Sequence, residues 1–220
     1  MNRTLVTGFL IEDGRVRGIQ TEKGIFYADV IVNACGSWAG KVAGLAGLDM
    51  PIKPRKGQLA VTEPIGFYMS PTIQCARYNV IKFHPETIKD ETVLRLGSSM
   101  NIAQTEEGGL LIGGTREFAG FEGENTLEAI DTMMKRVLRF FPGLKDVHVI
   151  RYFSGFRPYT PDGMPLLGEV QALPGFYMAA GHEGDGIALS PITGQLIAEL
   201  IVDGRCSHDI TPFSPNRFSA

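Results

Sequence analysis

Three glycines surround imidazole and carboxylate side chains in the segment GHEGDGI, residues 181–187, which leads directly into a long apolar stretch. Glycine loses more backbone freedom on folding than other residues, so this density indicates that the backbone itself approaches something closely. A helix that begins here presents unpaired N–H groups and the positive end of its dipole to an anionic or electron-rich group. The segment therefore predicts a ligand-binding helix start. The alternative is an ordinary glycine-rich loop without a ligand.

Two hydrolytic interpretations of this segment fail on spacing. The pair His182-Glu183 lacks the second histidine, one helical turn later, that a zinc protease of the HExxH type needs. A triad of His182, Asp185 and Ser190 would crowd its members into nine residues, and the sequence contains no GxSxG motif. Neither a metal site nor a serine hydrolase is predicted.

A second segment that could do chemistry is SGFRPYTPDGMPLLG, residues 154–168. Pro158 biases Arg157 toward an extended backbone, and the PDG sequence at 161–163 predicts a tight turn, so the guanidinium is held on a stiff frame. A guanidinium placed in this way binds a carboxylate through two parallel hydrogen bonds. The alternative is a structural arginine that pairs with an acidic side chain or with carbonyl groups.

The elements before these segments begin with strands. Two alternating runs are joined by Asp13-Gly14, a strong hairpin signal, and a third run follows. The continuous apolar run at 30–32 is typical of a strand buried on both faces, as in a parallel sheet. Residues 37–48 have a helix-like pattern, with Ser37 as a possible N-cap.

Between about residue 51 and residue 150 the pattern changes. The segments KGQLAVTEP, NVIKFHP, TVLRLGSSM and GGLLIGGTRE are strand-like and predict a largely antiparallel sheet. One helix interrupts it, with Asn125 as its N-cap and Pro142-Gly143 at its end. The predicted core stripe of this helix comprises Leu127, Ile130, Met134, Val137, Leu138 and Phe141, and its solvated face carries Lys135, Arg136 and Arg139.

The last third returns to an α/β pattern. It contains the strand-like segments MPLLGEV and GFYMAAG and a helix over residues 187–202, in which Pro191 is tolerated only in the first turn, with Ser190 as a possible cap. We therefore predict a fold of the α/β (α+β) class. One domain, residues 1–50 and 151–220, is interrupted by an inserted domain of residues 51–150.

Composition excludes several classes of partner. The chain has 220 residues with 44% hydrophobic residues, and its 21 basic and 24 acidic residues leave no electrostatic signature for nucleic acid or an anionic membrane. No uninterrupted apolar run approaches the roughly 18 residues of a membrane span, and the first ten residues lack a signal-peptide core, so we expect a cytoplasmic protein without a transmembrane segment. The scattered Cys35, Cys75 and Cys206 are expected to be small buried side chains.

Four segments in order, DVIVNACGSWAG, KGQ, GFRPYTPDGMPLLG and AAGHEGDGIALSPITGQLIAEL, carry a family resemblance. They resemble the C-terminal part of FAD-dependent oxidoreductases of the D-amino acid oxidase and glycine oxidase type, the DAO family. This group includes sarcosine oxidase, with its β subunit, and dehydrogenase subunits acting on proline and hydroxyproline. The resemblance covers essentially the whole chain. It implies a partial FAD-binding domain of the glutathione-reductase-like type and an inserted, mostly antiparallel substrate-binding domain.

The resemblance also implies roles for individual residues. The expected FAD contacts are Ala34, Cys35, Gly36, Gly57, Gln58, Gly181, His182, Glu183, Gly184, Asp185, Gly186 and Ile187. Among these, residues 181–187 would bring backbone N–H groups to the pyrimidine edge of the flavin, where the reduced ring carries negative charge. Arg157 would bind the substrate carboxylate. Candidates for a second carboxylate or amine contact are Tyr78, Tyr152 and Tyr159, with plain packing as the alternative.

The implied reaction is oxidation of the C–N bond of an amino acid or secondary amine, of the glycine, sarcosine, proline or D-amino acid type, by hydride transfer to flavin. One departure from the family pattern is the absence of the GxGxxG unit that holds the FAD pyrophosphate. We therefore expect a fragment, a broken gene product or a piece of a split enzyme, inactive alone. Its partners would be a small amino acid or amine and the missing FAD-domain segment or a partner subunit. The alternative is a non-catalytic substrate-binding or assembly subunit.

Overall fold

A computed structural model describes residues 2–218, which form a mixed α/β structure with several sheets. The strands are β1 (Val6–Glu12), β2 (Arg15–Thr21), β3 (Gly24–Tyr27), β4 (Ile31–Asn33), β5 (Lys53–Pro64), β6 (Ile73–Gln74), β7 (Asn101–Gln104), β8 (Gly109–Gly113), β9 (Val149–Tyr159), β10 (Leu166–Glu169) and β11 (Phe176–Ala180). The α-helices are α1 (Ala39–Gly44), α2 (Arg77–Phe83), α3 (Glu91–Leu96), α4 (Leu127–Phe140) and α5 (Gly186–Asp203).

The chain divides into two compact units, each with its own core. The first unit comprises Met1–Pro54 and Arg157–Ala220, and the second comprises Arg55–Phe156. Fully buried Phe176, Leu166 and Met178 lie in the core of the first unit. The core of the second unit includes the buried side chains Met100, Ile102, Leu110 and Ile112.

Local turn chemistry builds the first unit as predicted. Strands β1, β2 and β3 form an antiparallel meander, and the β1–β2 turn places Asp13 and Gly14 at φ values of 50° and 72°. A second sheet has the order β10-β11-β4, in which β4 and β11 are parallel. The predicted parallel strand is therefore confirmed. Its predicted burial on both faces is wrong, because Val32 is 39% exposed within the described chain.

The helix predicted after β4 is shorter than its pattern indicated. A 3-10 turn, Gly36–Trp38, precedes α1, so Ser37 lies inside that turn and is not the N-cap. Close packing explains one of the glycines in α1. A Cβ on Gly40 would lie 2.8 Å from the carbonyl oxygen of Ile52 and 2.9 Å from that of Met50.

The second unit contains a five-stranded sheet of order β6-β7-β8-β5-β9, in which β5–β8, β6–β7 and β7–β8 pair antiparallel, as predicted. Two segments predicted as strands, NVIKFHP and TVLRLGSSM, instead contribute to α2 and α3. In α3, the Asp90 carboxylate accepts from the Val93 amide at 3.0 Å, and Gly97 ends the helix in the left-handed conformation. These caps outweigh the β-branched and apolar composition of the segment.

Helix α4 forms and ends where predicted, but its cap and buried face differ. Thr126, not Asn125, is the N-cap, and its Oγ1 accepts from the Ala129 amide at 3.3 Å. The buried residues of α4 are Ala129, Met133 and Val137, whereas Leu127 is 84% exposed. Val137 is therefore buried as predicted, and Met134 and Phe141 pack against the core, but Leu127 and Leu138 are exposed, and Ala129 and Met133 are the buried residues that the prediction missed.

The cysteines are more accessible than predicted: Cys35 is exposed, and Cys75 and Cys206 are half-buried. Arg136, predicted on the solvated face of α4, donates from Nη2 to the Cys75 sulfur at 3.1 Å. Burial alone would raise the pKa of Cys75, but hydrogen bonds from Arg136 and from the Arg77 backbone outweigh it and leave this pKa below its ordinary value. Within residues 2–218, no group of three or more His, Cys, Asp or Glu side chains could hold a metal ion.

Candidate functional site

The segment 181–187 begins at the edge of the sheet where β4 also ends. Strands β4 and β11 run parallel, with Ile31 opposite Phe176 and Asn33 opposite Met178. Because the carboxyl ends of parallel neighbours meet at one edge, residues 34–36 and residues 181–185 leave the sheet side by side. In open α/β sheets this edge is where ligands bind.

The loop after β11 is held by its own backbone. Gly181 and Glu183 adopt φ values of 93° and 51°, in the region that favours glycine. The Glu183 amide donates to the Pro158 carbonyl at 3.0 Å, and the Asp185 amide donates to the His182 carbonyl at 3.0 Å. These two amides are therefore engaged within the protein. The predicted role of the segment toward FAD rests on its other N–H groups.

Those other groups lie at the start of α5, where the N-cap residue Asp185 makes no side-chain capping hydrogen bond. The first α-type hydrogen bond of the helix joins the Leu189 amide to the Asp185 carbonyl at 3.1 Å. The amides of residues 186–188 consequently have no intrahelical acceptor. At the same sheet edge, where the chain leaves β4, Gly36 has a φ of 54°, and a Cβ there would meet no atom within 4 Å. The backbone at both places can accommodate the close approach of a planar polar group.

His182, a predicted cofactor contact, directs its ring toward α5. Its Nε2 lies 3.0 Å from the Thr193 hydroxyl oxygen. Burial lowers the pKa of His182 below its ordinary value against the opposing effect of the Asp185 carboxylate, so the ring is neutral at pH 7. The imidazole thus links the loop to the helix. A contact between FAD and the backbone of His182 remains a prediction.

Helix α5 starts earlier than its proline suggested. Pro191 is its sixth residue, not a first-turn residue, and Ser190 lies inside the helix and is not its cap. The Ser190 hydroxyl donates to the Ile187 carbonyl at 2.9 Å, the group that a proline at 191 leaves without a main-chain donor. By length and composition this helix could also cross a membrane, and 17% of it is buried within the described chain. The mostly buried core helices of globular proteins meet the same length and composition criterion.

Arg157 and Tyr159 lie near the end of β9, in the first unit. They are two positions apart on a strand, so their side chains leave the same face, and both are half-buried. Between them, the Pro158 carbonyl accepts the Glu183 amide, which joins this end of β9 to the loop after β11. The structure therefore brings the predicted arginine and one predicted tyrosine next to the glycine-rich segment.

Arg217 fixes the turn that follows, a role that no sequence motif indicated. Its Nε and Nη2 donate to the two carboxylate oxygens of Asp162 at 2.8 and 3.1 Å, and Nη2 also donates to the Met164 carbonyl at 2.9 Å. The two charged partners are 55 residues apart in the sequence. Only the turn motif was visible locally, so no sequence signal identified the basic partner.

The Asp162–Arg217 pair predicts an acid-sensitive contribution to stability. The hydrogen bond from Arg217 lowers the pKa of Asp162, so the stabilisation is present above the unfolded value of about 3.9 and is lost as the pH falls through the lower folded value. We expect Asp162→Asn to lower the free energy of unfolding by about 1–2 kcal/mol at pH 7, and by progressively less toward pH 3. Urea unfolding at several pH values measures this. Asp146→Asn, at an exposed pair with Lys145, is the control, and a pH-independent loss for Asp162→Asn would contradict the assignment.

The second unit contains the other predicted flavin contacts, Gly57 and Gln58. The Gln58 side chain is completely buried; its Nε2 donates to Glu117 Oε1 at 2.8 Å and its Oε1 accepts the Thr126 amide at 2.8 Å. This amide group therefore supports the N-terminus of α4 from the interior. A contact between a flavin and the backbone of Gly57 and Gln58 remains a prediction.

Two predicted substrate contacts also lie in the second unit. The Tyr78 ring is covered on one face by the Arg116 guanidinium, whose carbon is 4.3 Å from the ring centroid. Tyr152 is 39% exposed on β9. Cation–π packing thus already engages Tyr78, and a substrate contact stays a prediction for both tyrosines.

The sequence of this chain matches a known protein family. Residues 1–200 match the DAO family, FAD dependent oxidoreductase. Glycine oxidase of Pseudomonas putida is 29% identical over 96% of this chain and 52% of the relative's length. Hydrogen cyanide synthase subunit HcnC of Pseudomonas protegens is 33% identical over 98% of this chain and 47% of the relative.

Structural comparison agrees with the sequence. The crystal structure of L-proline dehydrogenase from P. horikoshii superposes with a TM-score of 0.83 and 30% identity, over 98% of this chain and 54% of that one. The chain spans about half the length of the curated relatives it matches. Since the family match extends over residues 1–200 of 220, this chain belongs to the DAO family of FAD-dependent oxidoreductases.

Proposed function

We propose that this chain is part of an FAD-dependent enzyme that oxidises the C–N bond of an amino acid or secondary amine, of the glycine, sarcosine, proline or D-amino acid type. The observation that carries this proposal is the start of α5, where the N-cap Asp185 makes no side-chain capping hydrogen bond, together with the open space at Gly36; both segments follow parallel strands at their carboxyl edge. Membership of an FAD-dependent oxidoreductase family supports the same cofactor. The first unit would be the FAD-binding domain of glutathione-reductase-like type, and the second the substrate domain.

The residues of this edge fit the polar end of a flavin. When bound, FAD supplies the two-electron acceptor for the oxidation. The amides of residues 186–188 would donate to the oxygen and nitrogen atoms of its pyrimidine edge, where the α5 dipole favours negative charge. Residues 34–36 would lie along the cofactor, because the open space at Gly36 admits a ring close to the backbone.

Arg157 would hold the carboxylate of the substrate. Its guanidinium offers two parallel donors, which fix the orientation of an amino acid as well as its position. Tyr159, on the same face of β9, would add a second contact to the carboxylate or the amine. Orientation of this kind lowers the barrier without a protein base when the substrate amine enters unprotonated.

The surface of α5 supports a partner for the first unit. Ile187, Leu189 and Val202 are 94%, 41% and 80% exposed, so apolar side chains around this helix remain uncovered in the described chain. Exposed apolar surface of this kind marks a protein contact site. We propose that the remainder of the FAD domain, in the same polypeptide or in a partner subunit, covers it and supplies the GxGxxG unit that residues 1–220 lack.

The absence of that unit leads to a direct prediction for the isolated chain. Purified without added cofactor, it should show no stoichiometric flavin absorption in the visible spectrum and no amine oxidation, since the pyrophosphate and adenine of FAD lack their binding unit. A stoichiometric flavin band would contradict the need for a further segment.

The substrate proposal is tested once that segment and FAD are supplied. Glycine, sarcosine, proline and D-amino acids are assayed for oxygen uptake and, in parallel, for dye reduction. Turnover of one of these substrates is the expected result. Bound FAD without turnover of any of them would contradict the proposal and favour a non-catalytic substrate-binding or assembly subunit.

A further inference from the structure

A proline in the second turn of α5 creates a defect beside the candidate flavin site. Pro191 has no N–H, so the Ile187 carbonyl, four residues earlier, lacks its usual α-helical main-chain donor, and a proline ring at this position crowds that oxygen. Ser190 compensates for this loss. Its hydroxyl donates to the Ile187 carbonyl at 2.9 Å.

The Ile187 carbonyl belongs to the same peptide group as the N–H of Ala188, which is a candidate hydrogen-bond donor to the cofactor. The peptide bond is planar, so the carbonyl of Ile187 and the N–H of Ala188 point in opposite directions within one rigid group. A hydrogen bond that fixes the carbonyl therefore fixes the direction of the Ala188 amide. That amide is one of the three at the uncapped helix start.

We propose that Ser190 is a positioning residue that aims the Ala188 amide of α5 at the flavin. This role rests on the proposed function for the identity of the ligand, but the hydrogen bond that carries it is a property of the chain alone. Ser190 would contact no cofactor or substrate atom. It would act through the Ile187–Ala188 peptide group.

The test uses Ser190→Ala and Pro191→Ala, singly and together, in the full chain. Alanine at 191 restores a main-chain donor to the Ile187 carbonyl, so the effect of Ser190→Ala should disappear in that background.

The first readout is hydrogen exchange of the Leu189 amide, which closes the first turn. We expect Ser190→Ala to speed this exchange about three- to tenfold, and Ser190→Thr to preserve the wild-type rate. Thr132→Ala removes a similar hydroxyl-to-carbonyl bond in α4, where no proline follows, and should leave Leu189 exchange unchanged.

The second readout is binding of riboflavin, which carries the isoalloxazine ring without pyrophosphate or adenine, followed by its fluorescence. Ser190→Ala should weaken this binding about three- to tenfold, with the same rescue by Pro191→Ala. Unchanged exchange and affinity in Ser190→Ala, or an undiminished effect in the Pro191→Ala background, would overturn the role of Ser190. If the wild-type chain does not bind riboflavin, the proposed flavin contact fails, while Leu189 exchange still decides whether Ser190 holds the turn.

Discussion

Replacing Gly181 by alanine should lower the free energy of unfolding of the first unit by about 2–4 kcal/mol. The residue has a φ of 93°, which costs an L-amino acid about 1–2 kcal/mol. The added Cβ would also lie 2.8 Å from Cγ2 of Thr160, a fully buried side chain, which adds about 1–3 kcal/mol of overpacking. Denaturant unfolding followed by circular dichroism measures the sum.

Two matched variants separate the backbone cost from the packing cost. Gly36→Ala has a similar backbone strain, at a φ of 54°, but its Cβ meets no atom within 4 Å, so only about 1 kcal/mol should be lost. Thr160→Ser removes the obstructing Cγ2 but keeps the hydroxyl that donates to the Met164 carbonyl at 2.8 Å. In the Gly181→Ala background it should therefore restore the part of the free energy of unfolding that the close contact costs. Equal losses in Gly181→Ala and Gly36→Ala would show that the contact with Thr160 carries no energy.

This contact also links stability to the candidate site. Thr160 follows the strand that carries Arg157, and Gly181 begins the loop that leads to α5. An alanine at 181 requires a shift of the Thr160 side chain or of the loop, and a shift of the loop would displace the amides at the helix start from the arginine. We therefore expect weaker flavin and substrate binding in this variant, together with the loss of stability.

Features encoded in adjacent residues could be predicted from the sequence. The Asp13-Gly14 hairpin, the strand β11 and the helix α5 follow from turn chemistry and from apolar patterns that span only one element. The segment α3 was predicted wrongly because its apolar composition resembles a strand. Its Asp90 cap and its terminal Gly97 were both readable signals that identify a helix.

Contacts between distant residues could not be predicted in this way. Arg217 and Asp162 meet across 55 residues, and Gln58 bonds Glu117 across 59. No local pattern selects such partners, since many charged or amide side chains satisfy the same chemistry. The position of Arg157 beside the loop after β11 could not be predicted for the same reason. It involves a backbone hydrogen bond between Pro158 and Glu183, which are distant in the sequence.

In the enzyme with FAD bound, Arg157→Lys should lower kcat/KM for amino acid substrates about 10- to 100-fold. Lysine keeps the positive charge but replaces a planar fork of donors with a single ammonium, so one of two parallel hydrogen bonds to the carboxylate is lost. A hydrogen bond to a charged group contributes about 1.5–3 kcal/mol, and each 1.36 kcal/mol changes the rate tenfold. Steady-state kinetics with the preferred amino acid measures the effect.

The amide of the same amino acid distinguishes carboxylate binding from a structural role of Arg157. It lacks the carboxylate, so Arg157→Lys should change its kcat/KM far less than that of the free acid. Arg139→Lys, on the exposed face of α4, controls for the general effect of exchanging arginine for lysine. It should change kcat/KM for neither the acid nor the amide. Equal losses for acid and amide, accompanied by a lower melting temperature, would instead identify Arg157 as an arginine that stabilises the end of β9 without binding substrate.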